Sequence, residues 1–551
     1  MVFCTGCSKV NSTTMVGSAV VESVLTIMFL SFSLANSKEI YSSMREVKVH
    51  MANTRELLKG ELSTLRSYVK DQKAALSKLK ESINDLQQLS EYSKSPDFDI
   101  LHPLNAYRFI RNHSVIYQHT VDKIIEETKQ FEKRLDSNER PLLSKLPSLN
   151  KTEYEGVIDG ILRLQETYDL NVSDIVDGNF GGILFGLKIN AKECGEIIEV
   201  LYKNLHYRTY GREWIKQATK MIQNGDRSTT VATIYALAAN VMLAINKREE
   251  AALLYAMIPK DQRGRYHKIM VKALWNKTED SRRGQVYRRM NTPIVKADLK
   301  NRHDRLCNGQ SIENLLPNRH PPWRHLVCRT VDNGSPILRF QPIKLEERSL
   351  DPYVAIFHDV GSQHDIETVK EYAKPKLQRS TVSSLKGSVP DPGRTSQGMF
   401  IYDDSKYIKF AKRIEAATGL NYRGYEKFQI ANYGVGGHYY CHHDFFASEY
   451  ARNSQNGDNR IATFMMYLTD VVKGGATVFP DIDVSVFPKK GTAIFWYNMF
   501  RNGTVNMLTR HAACPVLVGE KWVGNLWIRR NAQTFNKPCG LDRLELDWTS
   551  F

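Results

Sequence analysis

The sequence predicts an α+β multidomain chain, with a helical N-terminal half and a separate β-rich C-terminal domain. Three observations carry this. Leu58, Leu62, Leu65, Val69, Gln72, Leu76, Leu79, Ile83 and Leu86 recur at spacings alternating four and three, a heptad seam over 58–89. Residues 190–260 then hold paired stretches with Tyr, Trp and Ala at helical spacing. From Tyr353 the pattern turns to short apolar runs (YVAIF, FQIANY, IATFMMYL, ATVFP, GTAIFWY and KWVGNLWI) broken by Gly and Pro turns. Many short strands after an all-helical half argue for a separate β domain.

At 551 residues the chain has room for two or three domains with real cores. Residues 1–35 read as a signal peptide. The run 15–34 is apolar except for Glu22 and a few hydroxyls, and Ser33-Leu34-Ala35 offers small residues for cleavage. An uncleaved membrane anchor is the rival, because the run is long for a signal. No other apolar run is long enough to span a bilayer. Seven Asn-x-Ser/Thr sequons fit a secretory chain in the endoplasmic reticulum lumen: Asn11, Asn112, Asn150, Asn171, Asn276, Asn333 and Asn502. Asn11 would leave with the signal. Six of the eight cysteines lie beyond residue 35: Cys194, Cys307, Cys328, Cys441, Cys514 and Cys539. An oxidising lumen favours disulfides, and sequence alone leaves every pairing open. The net charge of +16 is spread through helical segments among Glu and Asp, with no nucleic-acid motif. Solvated helix faces, or an acidic partner in the same compartment, account for it better than nucleic acid does.

Residues 36–180 form a helical region built around the seam. A lone exposed helix cannot bury such a seam, so it implies self-association as a coiled coil, or else a hairpin with the helices after Pro103. Residues 181–265 read as helix pairs of tetratricopeptide type. Residues 266–350 are a basic, Pro-dotted linker holding Cys307 and Cys328. Residues 351–551 are the β domain, with helices expected near 363–375 and 404–417.

The chemistry concentrates in that last domain. His442-His443-Asp444 places a His and an Asp two residues apart, and His511 follows about seventy residues later. Two imidazoles and one carboxylate with open positions form the facial triad of non-haem Fe(II) oxygenases. Lys521, ten residues beyond His511, supplies a cation for the far carboxylate of 2-oxoglutarate. An HxD alone is weak, but its surroundings are specific: QIANYGVGGHYYCHHD (429–444), NRIATFMMYLTDVVKGGATVFP (459–480), PKKGTAIFWYN (488–498) and RHAACPVLVGEKWVGNLW (510–527).

These blocks closely resemble the catalytic domain of the α subunit of collagen prolyl 4-hydroxylase, and the resemblance extends more loosely through most of the mature chain. It implies a double-stranded β-helix (jelly roll) for 351–551. It also implies Fe(II) on His442, Asp444 and His511, and 2-oxoglutarate on Lys521 with Tyr433 and Thr477. O2 is a second co-substrate and ascorbate a further cofactor. Tyr439, Arg460 and Trp527 match positions lining the peptide groove. The 181–265 block becomes a peptide-substrate-binding domain, with Tyr202, Tyr207, Tyr210, Trp214 and Tyr235 as candidates for stacking on proline rings. The resemblance further suggests disulfides Cys307–Cys328 and Cys514–Cys539, with Cys194 and Cys441 left free. The expected reaction is 4-hydroxylation of proline in collagen-like X-Pro-Gly sequences. Protein disulfide isomerase would be the β subunit, retaining a chain whose own C-terminus, Asp547 to Phe551, carries no retention signal.

The chain departs from the family at three places. His443 stands where an aromatic is common and is expected to pack rather than ligate. Cys441 stands where Pro is usual. Gly398-Met399-Phe400 replaces a Trp-containing stretch. Two other readings stay open: a hydroxylase of non-collagen proline-rich secreted proteins, and a catalytically inactive peptide-binding subunit. The intact His442, Asp444, His511 and Lys521 argue against the second.

Overall fold

The computed structural model describes residues 101–118, 151–203, 207–244, 247–264, 293–312, 326–384, 387–446 and 458–541, with shorter runs between 47 and 122. The signal segment, most of the heptad seam, and the sequons Asn150 and Asn276 lie outside the described residues. Leu58 and Leu62 of the seam are described, helical and buried. No helix among the described residues is long and apolar enough to cross a membrane.

The N-terminal half is helical. Helix α1 (Pro103–Arg111) starts on a proline, and the His102 ring accepts a hydrogen bond from the Leu104 N–H; that proline lacks the donor the first turn would leave unpaired. Helix α2 (Lys151–Tyr168) buries Tyr154, Val157, Ile158, Ile161 and Leu162 along one face, the helical period written in its sequence. Short α3 (Val172–Val176) is followed by α4 (Ala191–Lys203), α5 (Gly211–Gln223), α6 (Val231–Ala244) and α7 (Arg248–Ala256). Helices α4 with α5 and α6 with α7 pack as neighbours, and α6 also packs on α4.

One core runs through all of these helices and past them. It joins Tyr107, Ile158, Leu162, Phe180, Leu201, Trp214 and Ala238 to Val435, Leu517 and Val518 of the β region. Trp214, expected to face substrate, is fully buried, and its indole N–H donates to Gln165 Oε1 of α2 at 2.9 Å. Burying about 200 Å² of indole at about 25 cal/mol/Å² contributes roughly 5 kcal/mol before ordering costs. Trp214 is therefore a core anchor. Tyr207 and Tyr235 are buried in the same cluster, while Tyr210 is half-buried at its margin. The stacking role expected of Trp214 and Tyr207 fails for one reason: neither ring presents a face to solvent.

The C-terminal region is built on two main antiparallel sheets, with two short two-stranded pairs beside them. Its strands are β1 (Cys328–Val331), β2 (Ile343–Leu350), β3 (Tyr353–His358), β4 (Gln378–Arg379), β5 (Arg394–Thr395), β6 (Gln397–Ile401) and β7 (Phe428–Tyr433). They continue as β8 (His438–His442), β9 (Arg460–Tyr467), β10 (Thr477–Phe479), β11 (Val484–Val486), β12 (Ala493–Tyr497), β13 (His511–Ala513) and β14 (Lys521–Arg529). The larger sheet runs β1-β2-β3-β12-β9-β14-β7-β6-β4 and the smaller β11-β10-β13-β8-β5. Val354, Tyr433, Met465, Phe479, Val484, Trp496 and Val523 fill the space between them. This two-sheet arrangement is consistent with a double-stranded β-helix. The outer face of the larger sheet buries Phe357, Phe428, Phe464 and Phe495 with Ile366 and Val369 of α9 (Gln363–Ala373) and Phe410 and Ile414 of α10 (Ile408–Thr418). The sheet begins earlier than expected. β1 and β2, which composition placed in the linker, pair into it.

A second described part of that linker, residues 293–312, packs against both halves. Helix α8 (Pro293–Cys307) packs on α2 and on β10 and β11. Ser485 Oγ donates to the Leu306 carbonyl at 3.0 Å, and Asn308 Nδ2 donates to the Thr167 carbonyl at 2.8 Å. This docking sets the disulfide, which is Cys307–Cys514. The pairings Cys307–Cys328 and Cys514–Cys539 are not the ones formed. The C-terminal end of α8 lies beside the residue that follows β13, whereas Cys328 and Cys539 are exposed free thiols. Cys194 and Cys441 are free as expected. Of the described sequons, Asn171 is exposed and Asn112 and Asn502 are half-exposed. The Asn333 amide is already committed, donating to the Ala416 and Ala417 carbonyls at the end of α10.

Candidate active site

The two imidazoles of the expected triad are brought together by strand register. β8 pairs with β13 so that His442 faces His511 directly, across a register shift after Tyr439. Their rings lie 4.3 Å apart. Asp444 follows in the turn after β8, with its carboxylate 3.6 Å from His442 Nε2 and 3.7 Å from His511 Nε2. The three side chains can offer ligand atoms that all lie within 4.8 Å of one another.

The donor set suits a divalent metal on its own chemistry. His442 Nδ1 meets the Tyr440 carbonyl at 2.7 Å, and His511 Nδ1 meets the Thr509 carbonyl at 2.9 Å. A carbonyl only accepts, so both Nδ1 atoms carry the proton and both Nε2 atoms present lone pairs toward Asp444. Burial first, then the neighbouring His511, pushes His442 down to about 3 and keeps it neutral. Burial works against the Asp444 carboxylate, but the positive charge around it, that of Arg460 included, outweighs it and holds the group at about 2. Neutral imidazoles and an ionised carboxylate are the forms that bind metal. His443 takes no part: its Nε2 meets the Met507 carbonyl at 2.9 Å.

Lys521 opens β14, directly opposite Tyr433 on β7. It is 1% exposed, and burial alone lowers its amine to about 7. Nζ donates to Thr477 Oγ1 at 3.2 Å and lies 5.7 Å and 5.5 Å from the rings of Tyr433 and Tyr467. Among the described residues no carboxylate pairs with it. A buried amine that lacks an anion is costly, and its surroundings form a cradle for one. Tyr467, whose hydroxyl donates to Thr477 Oγ1 at 2.8 Å, escaped the sequence reading. Its signal was its place two and four residues from Met465 and Thr463 on the inward face of β9.

A cleft of about 1060 Å³ joins these groups; its walls include His442, Asp444, His511, Lys521, Thr477 and Tyr433 as well as Tyr439, Arg460 and Trp527. Tyr439 stacks on His442 at 3.6 Å, and the Arg394 guanidinium lies 4.8 Å from the Tyr439 ring. The Arg460 guanidinium lies over the Trp527 ring at 3.9 Å, pairs with both oxygens of Glu426 and donates to the Asp444 carbonyl at 3.1 Å. Its donors brace the site rather than stand free for a ligand. Tyr207, Tyr210 and Trp214 do not line this cleft. Cys441, on the strand of His442, packs against the cluster that holds Cys307 and Cys514, and burial raises its thiol to about 11. It is a packing residue, not a reactive one.

Comparison with known proteins agrees with this geometry at both ends of the chain. Residues 49–182 match the family described as the N-terminal region of the prolyl 4-hydroxylase alpha subunit. Residues 428–529 match the 2OG-Fe(II) oxygenase superfamily. Prolyl 4-hydroxylase subunit alpha-1 of Rattus norvegicus is 32% identical over 88% of this chain and 93% of its own length. The Homo sapiens subunit alpha-1 is 32% identical over the same shares. Subunit alpha-2 of Caenorhabditis elegans is 31% identical over 88% of this chain and 91% of its own. The oxygenase match covers both metal-binding strands and the lysine cradle, and the relatives align over most of both lengths; the chain belongs to the prolyl 4-hydroxylase α-subunit family.

Proposed function

We propose that this chain is a catalytic α subunit that 4-hydroxylates proline in collagen-like X-Pro-Gly sequences with Fe(II), 2-oxoglutarate and O2. One observation carries the reading: a His-Asp-His triad and a buried, anion-free lysine share a single cleft. Iron bound there supplies O2 activation coupled to oxidative decarboxylation of 2-oxoglutarate to succinate, with hydroxylation of a C–H bond. The chain's own residues do the rest. His442, Asp444 and His511 would hold the metal. Lys521, with Thr477 and Tyr433, takes the far carboxylate and so orients the 2-oxo acid end toward the triad. Trp496 and Phe479 pack against His511, at 4.7 Å and 5.5 Å between ring centroids, and exclude water behind it. Tyr439 and Trp527 line the same cleft and shape the space a proline ring would enter.

The remaining assignments belong to this reading. The 181–265 block takes the proline-rich chain through partly exposed aromatics such as Tyr210. The heptad seam serves self-association. Protein disulfide isomerase is the β subunit in the endoplasmic reticulum lumen, ascorbate is a cofactor, and Asn171 and Asn502 are the sequons best placed for glycans. The test is 2-oxoglutarate decarboxylation with no peptide, with a (Pro-Pro-Gly)n peptide, and with a proline-rich peptide lacking Gly. Turnover stimulated only by the first peptide supports the collagen reading. Stimulation only by the second moves the substrate elsewhere, and no decarboxylation under any condition refutes catalysis.

A further inference from the structure

Behind Asp444 runs a chain of buried hydrogen bonds whose direction is fixed at both ends. Trp496 Nε1 donates to Asn498 Oδ1 at 2.8 Å, Asn498 Nδ2 donates to Thr463 Oγ1 at 2.9 Å, and Thr463 Oγ1 donates to Asp444 Oδ2 at 2.8 Å. An indole N–H can only donate, and an ionised carboxylate can only accept. The indole therefore fixes which way the Asn498 amide lies. That amide fills an acceptor site of the Thr463 hydroxyl, whose single proton must then go to Asp444. Trp496, Asn498 and Thr463 are each at most 1% exposed, so water does not compete for these bonds. The Trp496 ring also meets the His511 ring edge-on at 4.7 Å.

We infer that Thr463, Asn498 and Trp496 form a positioning device for the metal triad. It ties down Asp444 Oδ2, fixes the rotation of the carboxylate between the two imidazoles, and braces His511 from the same tryptophan. The inference rests on the functional reading above and adds residues to it. None of the three touches substrate, and they act through Asp444 and His511. Free rotation of the carboxylate would misalign it with the two Nε2 atoms that share the metal site.

The experiment titrates the full-length protein with Co(II), and anaerobically with Fe(II) plus 2-oxoglutarate, following the metal's absorption bands. Thr463→Val is expected to weaken metal binding by roughly 10- to 100-fold and to change the intensity of the Co(II) bands. Thr463→Ser keeps the hydroxyl and is expected to restore both affinity and spectrum to near wild type, which a merely space-filling threonine would not require. Trp496→Phe keeps a ring against His511 but removes the donor, so it reports on the chain even where the valine variant does not fold. It is expected to weaken binding by several-fold. Wild-type affinity and spectrum in both Thr463→Val and Trp496→Phe would overturn the inference and leave the functional reading standing. No metal binding by the wild-type protein would remove both.

Discussion

Replacing Lys521 with Met should make the ligand-free protein more stable while removing its hold on 2-oxoglutarate. The amine falls from 10.5 to about 7 on burial, and a shift of that size corresponds to roughly 5 kcal/mol at about 1.4 kcal/mol per unit. At pH 7 about half of the buried amines have already lost their proton, which reduces the penalty to about 4 kcal/mol. Met fills a similar volume without charge and forfeits only the bond to Thr477, about 1 kcal/mol. The expected gain is therefore about 3 kcal/mol, within the range seen when buried charges give way to apolar groups. The sign of the pH dependence follows from the same numbers. Between pH 7 and 10.5 the unfolded lysine binds more protons than the folded one, so wild-type stability climbs as pH rises through that window. Below about pH 7 both states are protonated and the slope vanishes. Urea unfolding of 2-oxoglutarate-free protein between pH 6.5 and 9.5 reads both effects: the wild type should show the slope and the Met variant should lack it. In the same preparations 2-oxoglutarate affinity should fall by 2–4 kcal/mol, or roughly 30- to 1,000-fold. A Met variant less stable than wild type, with the pH slope intact, would mean that Lys521 already has an anionic partner and is not a vacant anion cradle.

Other consequences are as direct. Asp444→Asn should keep the fold and lose Fe(II) retention and succinate release, whereas His443→Phe should cost little, because the His443 ring nitrogen is taken up by the Met507 carbonyl and its ring packs on Phe445. Gln165→Leu should destabilise the whole chain by about 1–3 kcal/mol in a thermal or denaturant melt, because it strands the Trp214 indole in the core. A purified 190–260 fragment should accordingly show poor cooperative unfolding. Peptide mapping without reduction should recover Cys307 linked to Cys514, with Cys328 and Cys539 alkylated by an external reagent.

The site was more legible than the scaffold around it. A triad and its lysine are written as residue types at fixed spacing, and β7, β9, β12 and β14 as largely apolar runs, because both faces of the larger sheet are covered. Helices α9 and α10 fell within a few residues of their expected places for the same reason, their period being local. Strand β2 alternates at Ile343, Lys344 and Leu345, but the buried Glu347 breaks the pattern, and the segment reads as charged linker. The disulfide depends on where α8 docks, 207 residues from its partner cysteine, and no local pattern encodes that. Trp214 shows the same limit: an aromatic at helical spacing has one appearance whether it faces a ligand or Gln165. Thr463 was invisible because a threonine inside an apolar strand is ordinary, and only its neighbours in space give it a task.

One contact between the two halves bears on how such a chain can change over time. Gly436 has φ +72°, and a methyl group there would sit 3.1 Å from the Gly160 Cα of helix α2. Arg163 of the same helix donates to the Gly436 carbonyl at 2.7 Å, and Tyr168 donates to the Pro515 carbonyl. The turn that joins the lysine-facing strand β7 to the metal strand β8 is thus moulded on a helix some 270 residues earlier in the chain. A catalytic domain exchanged between relatives at a boundary near 351 would arrive without the surface against which its own active-site turn is shaped. A functional chimera should require residues 151–168 to travel with the sheets, so for inheritance and for engineering alike the helix and the barrel are a single module.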